Sequence, residues 1–204
     1  MDIRKELLKM TQQSYREALF AGTSGNLSYY DRETERMLIT PGSTPYETMT
    51  EDDLVCMTLD GEILEGSRKP SSEWRMHAEI YRQKPEVRAV IHTHSPYATA
   101  FAVNNQEIPV ILIEMVPFLG GNVEVAEFAL PGTVEVGIEA AKKLKDRYAC
   151  LMANHGVLAV GESLEQAHTR AIYTEDAAKI YCLALSNGSV KIISDTYVEN
   201  MKKK

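Results

Sequence analysis

Residues 86–95, EVRAVIHTHS, run an apolar, β-branched stretch straight into two histidines one residue apart. Such a stretch reads as a strand, and a helical pattern stands on each side of it. Upstream, SSEWRMHAEIYRQ reads as a helix capped by serine. Downstream, PYATAFAVNN carries proline in its first turn. The rest of the chain must supply the strands and helices that cover this unit. DIRKELLKMTQQSYREALFA sets Ile3, Leu7, Met10, Tyr15 and Leu19 near helical spacing. The glycines of GTSGNLSYYD break that helix and begin a strand, DRETER turns it, and MLIT returns as the second arm of a hairpin. PGSTPY is a loop, and DLVCMTLDGEILEG reads as two strands about an Asp-Gly turn. PVILIEMV is expected to be a strand, GTVEVGIEAAKKLK a helix, and YACLMANHGVLAVG two short strands around Asn154-His155-Gly156. SLEQAHTRAIYTEDAAKIYCLALSNG is a long helix ending at Asn-Gly, and the basic last residues are expected to fray. Hairpins mixed with helices imply an α/β, or α+β layered, fold: a central, mostly antiparallel sheet flanked by helices. No repeat, linker or low-complexity segment interrupts the pattern, so a single domain over 1–204 is expected.

Composition narrows the functional classes. The 204 residues are 44% hydrophobic and 25% charged, with a net charge of −7. That charge argues against nucleic acid as a partner. No apolar run is long enough to span a membrane, and MDIRKELLKM lacks a signal-peptide core, so a cytoplasmic protein is expected. Cys56, Cys150 and Cys182 are far apart and odd in number, matching neither a disulfide framework nor a cysteine zinc motif.

Residues two apart on a strand share a face, so His92 and His94 project together and can converge on one ion. That pair alone supports metal binding and a solvated strand face about equally. His155 sits in a tight turn between apolar strands, with Gly156 allowing close backbone approach. As a third imidazole it completes the usual protein share of a catalytic zinc site, which leaves one position open. His77, four residues after Glu73, can share a helix face with it and is expected to pack or support the site rather than ligate. His168 is expected on the plain surface of its helix.

The start of PSSEW, with Ser71 and Ser72, combines free backbone N–H groups with hydroxyl donors. An ordinary helix cap would look the same. Two further loops of small donors, GTSGN at 22–26 and PGS at 41–43, are suited to anion nests, and neither matches a nucleotide-binding fingerprint. Together the three loops make a phosphate pocket plausible on chemical grounds.

The pieces GTSGNLS, MLITPGSTPYE, PSSEWRMHAEIY, AVIHTHSPYATAFA, GGN at 120–122 and NHGVLAVG, in that order and spacing, resemble the class II aldolase/adducin family. They are most similar to its branch that cleaves L-fuculose 1-phosphate. The resemblance implies that His92, His94 and His155 ligate Zn2+, with Mn2+ or Co2+ as alternatives. It makes Glu73 the catalytic acid/base and, at rest, a further metal ligand. It assigns Gly25, Asn26, Gly42, Ser43, Ser71 and Ser72 to the substrate phosphate. The implied reaction is reversible cleavage of a ketose 1-phosphate, L-fuculose 1-phosphate or a related deoxypentulose 1-phosphate, to dihydroxyacetone phosphate and an aldehyde. The divalent cation stabilises the enediolate as a Lewis acid. The implied partners are a small sugar phosphate and three further copies of the chain, a homotetramer with sites at subunit boundaries. The family's aldehyde-side tyrosine is missing from PVILIEMVPFLGGN, where Glu114 is the nearest polar residue and the expected functional substitute. The same scaffold carries L-ribulose-5-phosphate 4-epimerases, which tend to have aspartate at the Glu73 position, methylthioribulose-1-phosphate dehydratases, and adducin-like interaction modules without enzymatic activity.

Overall fold

The structure, a computed structural model, describes residues 2–203. Helix α1 (Ile3–Arg16) leads into the hairpin β1 (Asn26–Asp31) and β2 (Arg36–Ile39), then β3 (Val55–Met57) and β4 (Ile63–Glu65). Helix α2 (Trp74–Gln83), strand β5 (Ala89–Thr93) and helix α3 (Pro96–Val103) follow in the order that the sequence implies. After α4 (Met115–Leu119), β6 (Val125–Ala126) and α5 (Val134–Lys143) come β7 (Ala149–Met152), β8 (Gly156–Gly161), α6 (Leu164–Asn187) and α7 (Asp195–Lys202). The strands form one eight-stranded sheet in the order β4-β3-β2-β1-β5-β8-β7-β6. Every pair is antiparallel except β6 with β7.

Alternation along the strands sends apolar side chains to both faces. One face buries Leu27, Leu38, Ile91, Val157 and Ala159 against α1, α3, α4 and α6. The other buries Met37, Val90, Leu158 and Val160 against Met76 and Ile80 of α2 and Val136 and Ala140 of α5. The sheet is thus the middle layer of three. Strand β5 lies inside it, between β1 and β8, and all five of its residues are buried.

Four local expectations are corrected. PVILIEMV is not a strand. Its backbone is irregular until α4 begins at Met115, and the Val110 carbonyl accepts from Ile193 N–H near the chain's end rather than from a sheet neighbour. An apolar run of that length carries no periodicity that separates a strand from a buried turn and helix. The basic tail does not fray over its described residues: α7 runs to Lys202 and docks through Val198, which is 7% exposed, while Lys204 lies outside the described residues. No serine side chain caps α2. Its first helical residue is Trp74, and Ser71 instead accepts from Glu73 N–H through its Oγ at 3.3 Å. His168 is buried, because its side of α6 faces α1, with Nε2 lying 2.8 Å from Glu17 Oε2.

Ile91 is fully buried at the middle of β5. Replacing Ile91 with Ala should cost about 2–5 kcal/mol of stability. Urea unfolding should show a lowered midpoint with an unchanged slope, and a loss under 1 kcal/mol would contradict this placement of the core.

Candidate metal and anion site

Register gathers the polar residues at one end of the central strands. Asn26 at the start of β1 pairs with His92 in β5, and His92 in turn pairs with Leu158 of β8. His94 follows one residue after β5 ends, and His155 stands just before β8 begins. Asn154 takes a left-handed conformation to make the turn. A side chain on Gly156 would collide with the Thr93 carbonyl and press on the His92 ring, so glycine is required by close approach.

The three imidazoles converge. Their ligand-type nitrogens all lie within 4.8 Å of one another. His92 Nε2 is 2.8 Å from His94 Nε2 and 3.1 Å from Glu73 Oε2, and His155 Nε2 is 3.1 Å from Glu73 Oε1. His92 Nδ1 lies 2.8 Å from the Val157 carbonyl. A carbonyl only accepts, so Nδ1 carries the proton and the Nε2 of the neutral ring presents a lone pair. That lone pair faces another imidazole nitrogen and a carboxylate oxygen, an arrangement that repels itself unless positive charge sits among the atoms. Three imidazoles with one carboxylate, His92 oriented through its Nδ1–H and Glu73 through the Asn26 amide, are a donor set that suits a divalent transition metal. The residues present therefore fit such an ion.

Charge at the site follows from burial. Glu73 is 7% exposed. Burial pushes its carboxyl up, but in metal-free protein a positive charge and hydrogen bonding from His92 and His155, where those rings are protonated, more than offset this and hold it well below the usual carboxylate range. Burial lowers the His94 imidazole to about 4, with His92 and His155 adding to the shift. Burial also lowers His77 to about 3, and His92 adds to it. His77 does not ligate. Its Nε2 lies 2.5 Å from Asn26 Oδ1 and its Nδ1 lies 2.6 Å from Ser28 Oγ. Asn26 Nδ2 donates to Glu73 Oε2 at 3.0 Å, while His155 Nε2 is the group that faces Glu73 Oε1.

The three small-donor loops do come together. Pro41 and Pro70 form an isolated antiparallel bridge, Gly42 N–H donates to the Lys69 carbonyl, and Ser71 N–H donates to the Thr40 carbonyl. The result is a pocket of about 400 Å³ lined by Thr23, Gly25, Asn26, Gly42, Ser43, Ser71, Ser72 and Glu73, joined by Ser24 and Lys69. Its wall is tight at Gly25, where an added Cβ would overlap the Phe20 ring. Hydroxyls, an amide and an ammonium beside a carboxylate can hold an anion with its reactive end near the histidines. Lys69 is an addition that the sequence reading missed; its position directly before Pro-Ser-Ser was the available signal. A larger cavity of about 550 Å³ lies elsewhere, among Arg4, Tyr29, Arg36, Glu65 and Arg88, and none of the histidines lines it. Glu114 is not drawn to the site within one chain. It is exposed at the start of α4, and its carboxylate makes no hydrogen bond or ion pair among the described residues.

His77, His94 and Glu73 together set a pH dependence. Each binds its proton less readily in the folded chain than in the unfolded one. The unfolded state therefore takes up more protons as pH falls, and folding stability drops. In metal-free protein the loss should begin near pH 6.5, where the unfolded histidines take up protons, and continue to about pH 3, the folded value of His77, with Glu73 adding to it from the usual carboxylate range downward; His94→Gln should make it shallower. Urea unfolding at a series of pH values checks this, and a flat profile from pH 7 to pH 4 would contradict it.

Comparison with known proteins places this geometry. The chain is 36% identical over 201 residues to the 5-deoxy-D-ribulose 1-phosphate aldolase of Bacillus thuringiensis serovar kurstaki, covering 98% of this chain and 94% of the relative. It is 35% identical over 203 residues to the 5-methylthioribulose-1-phosphate/5-deoxyribulose-1-phosphate aldolase of Rhodospirillum rubrum, covering 99% and 90% of the two. A solved structure of an L-fuculose 1-phosphate aldolase superposes with a TM-score of 0.94 at 39% identity, over 99% of this chain and 95% of that one. The family model described as the class II aldolase and adducin N-terminal domain matches residues 5–182. The chain belongs to the class II aldolase and adducin family.

Proposed function

We propose that this protein is a metal-dependent aldolase that reversibly cleaves a ketose 1-phosphate, L-fuculose 1-phosphate or a 5-deoxypentulose 1-phosphate, to dihydroxyacetone phosphate and an aldehyde. The observation that carries the reading is the contact of one buried carboxylate, Glu73, with both a three-histidine cluster and an anion pocket. The names of the relatives support the substrate class, since all three act on ketose 1-phosphates. His92, His94 and His155 would hold the cation, with Glu73 as a fourth ligand at rest; zinc is the first choice, with manganese and cobalt as alternatives. When bound, the ion supplies Lewis-acid stabilisation of enediolate charge.

The chain's own residues then have distinct tasks. Gly25, Asn26, Gly42, Ser43, Ser71 and Ser72, with Lys69, bind the phosphate and fix the sugar's register, which is orientation remote from the reacting carbons. Glu73 moves the proton at the carbon that becomes carbanionic. In cleavage the bond between C3 and C4 breaks, the C4 hydroxyl proton passes to the base on the aldehyde side, and Glu73, having taken a proton from water, delivers it to C3. In synthesis the transfers reverse. Glu114 is proposed to handle the aldehyde-side oxygen from a neighbouring subunit. Exposed Ile113 beside Glu114, and exposed Phe128 and Leu130 in the loop after β6, support burial of apolar surface between subunits in a homotetramer with sites at subunit boundaries. The whole chain would act as one domain. A cytoplasmic location is consistent with the free cysteines and with the lack, among the described residues, of a helix long and apolar enough to cross a membrane.

Incubation with fuculose, rhamnulose, ribulose, 5-deoxyribulose and methylthioribulose 1-phosphates, with coupled reduction of dihydroxyacetone phosphate, is the test. At least one should release it, whereas water elimination or epimerisation without release would overturn the reading. Protein purified without chelators should carry about one divalent ion per chain. Glu73→Gln should lower turnover by about 10²–10⁴-fold with the ion retained, and full activity in that variant would remove Glu73 from the proton transfer.

A further inference from the structure

Beneath the site, α2 and β1 are in step. Four residues of helix advance about 6 Å and two residues of strand about 6.6 Å. Glu73, His77 and Tyr81 therefore meet Asn26, Ser28 and Tyr30 in turn. Asn26 Nδ2 donates to Glu73 Oε2, His77 bridges Asn26 and Ser28, and Ser28 Oγ lies 2.7 Å from the Tyr81 hydroxyl. The Tyr81 ring stacks on Tyr30 with centroids 5.2 Å apart. Asn26, Ser28, His77 and Tyr81 are all essentially sealed from solvent.

One end of this chain dictates every hydrogen in it. An ionised Glu73 only accepts, so Asn26 must present its NH2 group to the carboxylate and its carbonyl oxygen to His77. That carbonyl also only accepts, so His77 must carry its proton on Nε2. His77 Nδ1 is then a lone pair, Ser28 donates to it, and Tyr81 donates to Ser28. Without an Nε2–H donor behind it, the Asn26 amide keeps only its bond to the carboxylate and can swing about that bond, which takes its second N–H off the anion pocket. Asn26 also lines the anion pocket, and its NH2 group has a second hydrogen beyond the one given to Glu73.

We propose that His77 is a positioning residue: held in its Nε2–H form by Ser28 and Tyr81, it locks the Asn26 amide so that one NH2 group serves both Glu73 and the substrate phosphate. The inference rests on the aldolase reading for its effect on turnover, while its structural content is independent of that reading. The Asn26 lock fixes Glu73 Oε2, while Oε1 faces His155 Nε2 at 3.1 Å.

The test uses the full-length, metal-loaded protein. In ¹⁵N-histidine NMR spectra the His77 signals, identified by their loss in His77→Gln, should show the Nε2–H tautomer with a bare Nδ1. A proton on Nδ1 reverses the chain and overturns the proposal. His77→Leu removes the donor, while His77→Gln keeps an N–H near the same place. His77→Leu should lower kcat about 10–100-fold and weaken inorganic phosphate, measured by calorimetry, about five- to tenfold, with metal content unchanged. His77→Gln should recover most of both. Wild-type phosphate affinity in His77→Leu, an equal loss in His77→Gln, or loss of the metal in His77→Leu would each overturn the proposal. If His77→Leu does not fold, the tautomer in the wild-type protein decides. If the protein cleaves no ketose phosphate, the tautomer and the phosphate affinities still test the lock, so its failure is separable from that of the aldolase reading.

Discussion

Glu73 keeps its carboxylate inside the protein, where desolvation works against charge. The surrounding arrangement follows from making that charge tolerable. Two imidazoles stand within 3.1 Å of its oxygens and an asparagine amide donates to one of them. The imidazoles are held by the ends of two adjacent central strands, and the amide by a third. α2 lies across those strands and carries Glu73 at its N-terminal boundary, where the helix dipole also favours an anion. A sheet with both faces covered is stiff enough to hold such a cluster, because none of its central strands can shift register without turning apolar residues out of the core.

The same constraint explains why the anion pocket adjoins the carboxylate. The Pro41–Pro70 bridge brings the loop after β2 against the segment before α2, and the loop before β1 closes the third side. A phosphate held there would lie beside Glu73, which also contacts the histidines. The wall opposite is less determined within one chain. Glu114, proposed for that side, stands exposed just before α4, and the relatives named above act on sugars with different tails. Variation in substrate within the family is expected at that wall rather than at the phosphate grip.

Much of this was legible in local sequence. The strand ending in His92-Thr93-His94 and the turn Asn-His-Gly between two short strands follow from local pattern, whereas the convergence of the histidines and of the three small-donor clusters was only one of two even readings until the family resemblance was added. Regions whose conformation depends on distant partners were not legible. PVILIEMV has the composition of a strand, yet its backbone partners lie in the segment after α6. The basic tail forms a helix because Val198 finds an apolar seat, which no residue beside it announces. His168 is buried by α1, more than a hundred residues away in the chain. The match of 73, 77 and 81 with 26, 28 and 30 was invisible for the same reason. Helical spacing gives one side of it and strand alternation the other, but only the packing of α2 on β1 puts them in register. Lys69 was overlooked because a single lysine beside a proline carries no periodic signal.

The central claim is that Glu73 moves a proton to and from the hydroxymethyl carbon of dihydroxyacetone phosphate. The most direct measurement is hydrogen exchange in D2O with dihydroxyacetone phosphate alone, followed by proton NMR. The account predicts that the metal-loaded protein exchanges a single hydrogen at that carbon, and that Glu73→Gln, with the metal still bound, does not. Exchange at the wild-type rate in Glu73→Gln would contradict it.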